Sequence, residues 1–276
     1  MDGRTTAERT WTAGQVAARL RIAESTLRAW HRRYGVGPHP ARPGQYRRYS
    51  ADDVVRLARM GELIAAGMPA ADAATAIAEA GPPVDEVLAA VVRAARALDT
   101  SECVRHLGQA LTRWGVVRAW AEVCLPALAA MDDDQRGDTD CIACEHALTW
   151  AVTAVLHTVP RPPAAAPAIM LSCVEAERHS LGLEALAAAL AEQDVPTRML
   201  GASMPTAALA HAVRTSQVDT LVLWAQHPGT ARADTVRSMT RLTRRVVLAG
   251  PGWRRPLTRA DRVTSLAEAL DSLRVT

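Results

Sequence analysis

The chain has 276 residues, of which 49% are apolar and 22% are charged, and its formal net charge is +3. This balance indicates a folded globular protein of roughly two or three domains and excludes a disordered or strongly basic chain. Five cysteines exclude a disulfide-dense secreted scaffold, because five cannot all pair within one chain. Residues 1–10 are polar and charged, and no run approaches the length of a membrane span, so we expect a cytoplasmic protein with no membrane partner.

The first recognisable pattern is a pair of short helices separated by a tight turn. Apolar residues recur at helical spacing in 12–20, and Thr12 is a suitable N-cap. A turn at 21–24 leads to a second helix over 26–34. A helix-turn-helix is the geometry that lays its second helix in the major groove of DNA. The exposed positions of this second helix carry Arg28, Arg32 and Arg33.

A second basic segment follows the Gly- and Pro-rich stretch 35–43. Residues 44–49 read Gly-Gln-Tyr-Arg-Arg-Tyr and alternate as a small β-ribbon would, with the arginines flanked by aromatic residues. A basic hairpin beside a basic helix is suited to hold phosphates on either side of the groove. The alternative is that these arginines are the solvated face of a helical domain.

The order of these segments resembles the MerR family of transcription regulators over about residues 10–80. The resemblance rests on Thr26-Leu27-Arg28-Ala29-Trp30, on Arg42 and residues 44–49, on Ser50 with Asp52-Asp53-Val54, and on Gly67-Met68. It implies a winged helix-turn-helix domain over 1–80 that binds an inverted repeat of double-stranded DNA as a dimer. The DNA contacts that it implies are Thr26, Arg28, Arg32, Arg42, Tyr46, Arg47 and Arg48.

The middle of the chain has helical patterning without a strand signal. Residues 50–80 repeat apolar positions at helical spacing, and Gly81-Pro82-Pro83 marks a domain boundary. Short connections and one apolar face in each of four further segments predict a four-helix bundle over 81–160. These segments are 84–98, 101–114, 116–131 and 139–159. The acidic residues 132–134 between the last two segments are predicted to form a solvated loop.

The last of these helices contains the segment Cys141-Ile142-Ala143-Cys144-Glu145-His146. Two cysteines three residues apart can hold zinc only with two further ligands, and the chain has no second Cys-x-x-Cys motif. We therefore expect no independent zinc site, and buried core thiols or redox chemistry are the alternatives. Glu145 and His146 interrupt an otherwise apolar helix, which is unfavourable to bury unless they bind a ligand. Simple surface exposure is the alternative for this pair.

Beyond a Pro-rich linker, 160–167, the pattern alternates between strands and helices. This alternation predicts a parallel five-stranded sheet wrapped by helices, a Rossmann-like (flavodoxin-like) α/β domain over 161–276. The strand segments are 169–173, 196–200, 220–224, 246–249 and 262–264, and the helical segments are 183–191, 206–215, 231–242 and 266–273. Ligands of such sheets bind at the carboxyl ends of the strands. No Gly-x-Gly-x-x-Gly follows the first strand, which argues against a dinucleotide.

The loop after the first strand carries His179, and Gly182 follows at the start of the next helix. A glycine at this point lets the backbone approach something flat or bulky. A loop histidine that caps a helix or meets solvent is the alternative. Glu177-x-His179-x-x-Gly182, with Leu200-Gly201-Ala202 and Gly250-Pro251-Gly252-Trp253, resembles cobalamin-binding domains. The motif there usually begins with Asp, and the Glu variant is similar to that of light-responsive MerR repressors of the CarH and LitR type.

This second resemblance implies a cobalamin, with adenosylcobalamin suspected as a light sensor and His179 as the lower axial cobalt ligand. In those repressors a helical bundle with a Glu-His pair covers the upper face of the corrin, and Glu145 and His146 match that pair. The resemblance implies a DNA-binding homo-oligomer, a dimer or tetramer, that assembles in the dark. Light would break the cobalt–carbon bond and free His146 as a possible upper ligand. The implied cofactor contacts are Trp120, Gln135, Glu145, His146, Glu177, His179, Gly182, Gly201, Trp224, Gly250 and Gly252.

Two positions depart from the family pattern. The family places a Trp over the adenosyl group where this chain has Gln135, and Trp114, Trp120 and Trp150 are candidate substitutes. The family has a small Ser where this chain has Trp224, whose ring would crowd the nucleotide tail or pack against it. A regulator of the same build that senses another ligand is therefore an alternative. A cobalamin-dependent methyl carrier or enzyme is a third, but residues 1–80 offer a DNA-binding head where that class needs a catalytic partner, so we expect a regulator and not an enzyme.

Overall fold

The computed structural model describes residues 10–38, 48–49, 51–135, 140–163 and 169–273. The chain divides into two compact units, residues 1–86 and residues 87–276. The helical middle and the α/β part lie together in the second unit. The boundary predicted near residue 160 therefore falls inside one compact body.

The first unit contains helices α1 (Ala13–Leu20), α2 (Glu24–Tyr34), α3 (Ala51–Ala65) and α4 (Ala70–Ala80). The predicted N-cap of α1 is confirmed as a capping box, because Thr12 Oγ1 accepts from the Gln15 backbone and Gln15 Oε1 accepts from the Thr12 backbone. The four helices pack around one core, which includes Leu27, Trp30, Leu57 and Met60. Burial of one face of α2 leaves its arginines on the opposite side.

The second unit begins with a helical part whose longest helix is interrupted at Gly115. It contains α5 (Val84–Arg96), α6 (Thr100–Ala119), a π-helical turn (Trp120–Cys124), α7 (Leu125–Gln135) and α8 (Asp140–Leu156). The break predicted around Gly115 is confirmed, because Gly115 has non-helical angles, φ 74° and ψ 168°, and α6 consists of two helical parts that meet there at a kink. Both carboxylate oxygens of Glu192 accept from the Val116 backbone N–H at 3.0 Å, which satisfies a donor that the kink releases.

One run in this helical part, Thr100–Asp132, has the length and apolar composition of a membrane span. We expected no run of this length, and by the criteria of length and composition that expectation is wrong. The run contains the Gly115 kink and the π-helical turn, and it packs against α8.

The α/β part confirms the predicted parallel sheet. Its strands lie in the order β2-β1-β3-β4-β5, and every neighbouring pair is parallel. Strands β1 and β3 have the predicted bounds and consist mainly of apolar residues, as buried parallel strands do, whereas the polar β5 is shorter than predicted. The elements are β1 (Ile169–Cys173), α9 (Leu181–Ala191), β2 (Thr197–Gly201), α10 (Thr206–Ser216), β3 (Thr220–Trp224), α11 (Ala233–Met239), β4 (Arg245–Ala249), β5 (Asp261–Arg262) and α12 (Leu266–Leu273).

Helix α9 joins the two parts of the second unit. Its residues from Leu183 to Ala191 are buried nearly all round, apart from Glu184. It lies against β1 and β2 on one side and contacts α6, α8 and α12 as well. An all-apolar helix is stable in water only when it is covered on every side, so the helical part is required to complete the α/β core. This packing places α7 and α8 above the carboxyl edge of the sheet.

Candidate cofactor cavity and DNA-binding surface

The DNA-binding residues predicted for the first unit fall into two groups. On α2, Arg28, Arg32 and Arg33 are exposed, and Thr26 is half-buried at the start of the helix. Arg28 pairs with Glu24 at 2.9 Å, but both side chains are largely exposed, so this ion pair is weak and easily exchanged for a phosphate. Arg48 is exposed and its Nε donates to Thr10 Oγ1 at 3.0 Å. The remaining predicted contacts, Arg42, Tyr46 and Arg47, lie outside the described residues.

The second unit contains a cavity of about 1200 Å³ at the carboxyl edge of the sheet, beneath α7 and α8. This is the edge where open parallel sheets bind ligands. Its volume is more than a flat ligand of drug size requires. Seven residues predicted from the sequence as cofactor contacts line it: Trp120, Glu145, His146, His179, Gly182, Trp224 and Gly250.

Glu177 does not line the cavity but holds His179 from behind. Its side chain is 1% exposed, whereas that of His179 is 59% exposed. Glu177 Oε1 contacts His179 Nδ1 at 2.7 Å and accepts from the His179 backbone N–H at 3.0 Å. The other oxygen accepts from the backbone of Gln226 and His227 and from the Thr230 hydroxyl, at 2.9, 3.1 and 2.7 Å. The carboxylate therefore ties the loop after β1 to the loop after β3.

This environment fixes which nitrogen of His179 is free. Burial alone would raise the pKa of Glu177, but the hydrogen bonds from His179, Thr230 and His227 outweigh it and lower the pKa to about 2. An ionised carboxylate only accepts, so Nδ1 of His179 must carry the proton that it shares with Glu177. In the neutral imidazole, the lone pair is then on Nε2. A carboxylate–histidine pair of this kind is the arrangement that orients and strengthens an imidazole metal ligand.

The same carboxylate makes a testable contribution to stability. A carboxyl whose pKa falls on folding stabilises fully above its unfolded pKa and loses that contribution as the pH falls through the folded value. A shift from 4.5 to about 2 corresponds to about 3 kcal/mol. We expect Glu177→Gln to lower the free energy of unfolding by about that amount at pH 7, measured by urea denaturation. The deficit should shrink between pH 4.5 and pH 2, and a deficit independent of pH would contradict this assignment.

The helical wall of the cavity carries the Glu-His pair predicted for the upper face. Glu145 is half-buried and His146 is exposed, and both line the cavity from α8. Trp150, one turn further along α8, is 60% exposed and lines the cavity as well. Gln135 ends α7, and its side chain lies outside the described part of the chain. Of the three tryptophans proposed as substitutes for the family Trp, Trp120 and Trp150 reach the cavity.

The third of these tryptophans, Trp114, has other neighbours. The guanidinium groups of Arg113 and Arg118 lie over its ring, at 5.1 and 5.5 Å from the centroid. It is not among the residues that line the cavity. A role for Trp114 over a bound cofactor therefore finds no support in its position.

The glycines of the predicted motifs differ in what surrounds them. Gly250 has φ +99°, and a Cβ there would lie 2.4 Å from the carbonyl oxygen of Ala225. A Cβ on Gly252 would lie 2.6 Å from the carbonyl oxygen of His227, so both positions are required for the loops after β3 and β4 to pack together. Gly201 has φ +77° with open space around it, and neither Gly201 nor Gly252 lines the cavity.

His227 is a cavity residue that the sequence analysis did not single out. Its ring contacts that of His179 edge to face, with centroids 4.8 Å apart. The sequence predicted ligand binding at the carboxyl ends of the strands but gave no reason to select this residue. The contact depends on β3 lying directly beside β1, which brings together residues 48 positions apart in the chain, His179 and His227.

The cysteines have core positions where the structure describes them. Cys103, Cys124, Cys144 and Cys173 are buried free thiols, and burial raises the pKa of Cys124 and Cys173 to about 12. Cys144 Sγ lies 3.9 Å from the Arg96 carbonyl oxygen. Across the described ranges, no three His, Cys, Asp or Glu side chains are grouped as a metal site would need. The side chain of Cys141 is not among those described.

Comparison with known proteins identifies the family. Residues 11–80 match the family described as MerR HTH family regulatory protein. The chain is 32% identical to the HTH-type transcriptional repressor CarA of Myxococcus xanthus over 203 residues, which cover 70% of this chain and 68% of CarA. It is 26% identical over 220 residues to the HTH-type transcriptional repressor CarH of the same organism, covering 72% of this chain and 73% of CarH.

The fold of the second unit also has a known counterpart. The monomethylamine corrinoid protein of Methanosarcina barkeri matches 69% of this chain and 98% of its own length, with a TM-score of 0.52 and 12% identity. At this identity the match concerns the fold alone. Residues 11–80 match the MerR family, and both repressors align with this chain over more than two thirds of their length. The chain therefore belongs to the family of MerR-type transcriptional repressors that includes CarA and CarH.

Proposed function

We propose that the chain is a DNA-binding repressor whose second unit holds a cobalamin-type corrinoid over His179. One observation carries the proposal: the cavity that His179 enters from the sheet edge is also lined by Glu145 and His146 of α8. A flat ring in this cavity would meet an imidazole from the sheet and a carboxylate–imidazole pair from the helices. The fold shared with a corrinoid protein is consistent with such a ring.

The side chains present suit the ring and its lower ligand. Glu177 binds Nδ1 of His179, so Nε2 is the ring nitrogen that remains for a metal ion. Trp120, Leu128 and Trp150 supply apolar and aromatic surface on the helical side. A bound cobalamin would supply a cobalt ion that His179 would hold and, in the adenosyl form, a cobalt–carbon bond that light breaks. We propose adenosylcobalamin as the light-sensing form. We also propose that His146 is the residue that would serve as an upper ligand of cobalt after the cobalt–carbon bond breaks.

The remaining parts of the proposal concern assembly. A winged helix-turn-helix head reads one half of an inverted repeat, so binding such an operator requires a homo-oligomer, a dimer or tetramer. We propose that the four helices α5–α8 act as a lid over the ring. A ligand shifts an oligomer equilibrium only as far as it binds the assembled state better, so the loaded cavity must lie near a subunit contact. The chain is a transcription regulator and not an enzyme, and as a repressor with DNA as its partner it acts in the cytoplasm.

The proposal is tested with the full chain loaded in the dark with adenosylcobalamin and, in a parallel sample, with adenosylcobinamide, which carries the same adenosyl group but no nucleotide base. Duplexes are selected from a random-sequence pool, and their affinity is then measured at a stated salt concentration before and after green light. We expect a corrinoid spectrum that survives gel filtration, changes on illumination, and is accompanied by at least a tenfold change in duplex affinity. A chain that retains no corrinoid, or a duplex affinity identical in both states, would contradict the proposal. A corrinoid carrier without regulatory function would keep the spectrum but select no duplex.

The DNA surface is tested by Arg28→Ala, with Arg59→Ala as a matched control. Both arginines are exposed and paired with a glutamate at 2.9 Å on one helix, but Arg59 lies on α3. We expect Arg28→Ala to weaken duplex binding and to reduce the slope of log affinity against log salt by about 1 for each DNA-bound subunit, about 2 for a dimer, because each subunit loses one phosphate contact. Arg59→Ala should match the wild type. Equal slopes in all three proteins would remove α2 from the interface.

A further inference from the structure

Trp224 lies at the point where three loops of the sheet edge meet. It ends β3, and it pairs with Cys173 of β1 and Ala249 of β4. A Cβ on Gly182 would lie 2.3 Å from Cη2 of its indole, and a Cβ on Gly250 would lie 3.1 Å from its Cδ2. The indole therefore fills the space between the start of α9 and the loop after β4. Both neighbours are glycines, so the ring occupies a slot that has no side chain on either side.

The indole occupies this slot without a hydrogen bond to its nitrogen. Trp224 Nε1 is buried and has no hydrogen-bond partner among the described residues. Trp253, by contrast, donates from Nε1 to the Leu223 carbonyl oxygen at 3.0 Å, as buried tryptophans usually do. An unsatisfied buried N–H is unfavourable. The position of the indole is therefore explained by how its ring fits the slot, and not by a hydrogen bond from its nitrogen.

The slot adjoins His179, and this adjacency has a chemical consequence. A complete cobalamin carries a nucleotide base on the lower side of its ring, tethered to the ring edge. When a protein histidine takes the lower axial position, that base is displaced but remains on the histidine side. It then needs a slot beside the histidine, between the loops of the sheet edge. In this chain His179, Gly182, Trp224 and Gly250 all border that side of the cavity, and a bicyclic indole of the size of a benzimidazole base already lies between the two glycines.

We infer that Trp224 takes the place of the nucleotide base, so that among corrinoids with the same upper group the cavity binds one without that base, of the cobinamide class, more tightly than the complete cobalamin. The inference concerns the lower side of the ring only, so it leaves the adenosyl group of the proposed light sensor in place and changes only the preferred form of its lower side. This inference rests on the proposed function, since it concerns the same cavity and the same His179. It narrows the ligand from corrinoids in general to corrinoids that lack the nucleotide base, which is the part that Trp224 excludes. The ring and its axial ligand are unaffected, because Trp224 displaces neither His179 nor the helical wall.

The inference is tested by titrating the full chain with aquocobinamide and with hydroxocobalamin, followed by visible absorbance. Displacing the base from cobalt disfavours hydroxocobalamin in any protein, so the decisive quantity is the change in the affinity ratio on mutation. We expect the wild type to prefer aquocobinamide by at least tenfold. Trp224→Ser, which opens the slot, should change the ratio by at least tenfold towards hydroxocobalamin. Trp224→Phe, which keeps a smaller ring in place, should lie between the two and guards against a serine variant that fails to fold.

The outcomes separate the two proposals. A ratio that is the same in the wild type and in both variants would overturn the inference about Trp224 while leaving the corrinoid site intact. A wild-type chain that binds neither probe would overturn the proposed function and the inference with it. Retention of either probe by the wild type and its loss in His179→Ala would uphold the proposed function whichever way the ratio falls.

Discussion

Replacing His179 with Ala is expected to lower the affinity of the full chain for a corrinoid by at least tenfold. The substitution removes the only exposed imidazole that Glu177 orients among the described residues, and with it the axial nitrogen. The measurement is the cobalt bound per chain after loading with aquocobinamide and gel filtration. Because the apolar walls of the cavity remain, residual weak binding without an axial ligand is compatible with the account.

Two histidine variants serve as controls for this result. His211→Ala removes an exposed histidine on α10 whose only recorded contact in the described structure is a 3.5 Å approach to Thr215. We expect this variant to retain cobalt as the wild type does. His227→Ala removes the ring that packs edge to face on His179 and should have an intermediate effect. Equal cobalt retention by His179→Ala and His211→Ala would contradict the role assigned to His179.

Gly182→Ala is expected to destabilise the second unit, although the same change normally stabilises a helix. Gly182 lies in the first turn of α9, and alanine is favoured over glycine in a helix by up to about 1 kcal/mol. Here the new Cβ would lie 2.3 Å from the Trp224 ring. Overpacking of this kind costs about 1–3 kcal/mol because the ring must leave its position. Urea denaturation measures the effect directly.

A double-mutant cycle isolates the contact between the two residues. In the Trp224→Ser background the clash is absent, so Gly182→Ala should become neutral or stabilising, with a coupling energy of about 2 kcal/mol. Gly108→Ala in α6 is the matched control, because no atom lies within 4 Å of its added Cβ and a small gain in stability is expected. If Gly182→Ala is as well tolerated as Gly108→Ala, the indole does not occupy the slot.

The sequence predicted those parts of the fold that local patterns determine. Strands β1 and β3 have the predicted bounds because each is a short run of mainly apolar residues, and Thr12 caps α1 as its side chain suggests. The break predicted at Gly115 is present as a non-helical residue at which α6 kinks. The Val116 N–H that the kink releases is satisfied by Glu192, 76 residues later, and no local pattern reports such a contact.

In the candidate site too, local sequence patterns predicted some features, whereas contacts between distant parts of the chain could not be predicted. The spacing of Glu177, His179 and Gly182 identified the loop, and the position of Trp224 marked it as a departure. The full set of partners of Glu177 could not be predicted, because Gln226, His227 and Thr230 reach it only when β3 lies beside β1. The slot that Trp224 fills is likewise a property of three loops together.

The central claim is that His179 supplies the nitrogen that binds cobalt, and electron paramagnetic resonance tests it most directly. The full chain is prepared with ordinary histidine and with histidine labelled with the heavy nitrogen isotope, loaded with aquocobinamide, and reduced to the Co(II) state. Cobinamide has no nucleotide base, so an axial nitrogen splitting must come from the protein. We expect a splitting that changes its multiplicity on labelling and disappears in His179→Ala. A spectrum without axial nitrogen splitting, or one unchanged by His179→Ala, would contradict the account.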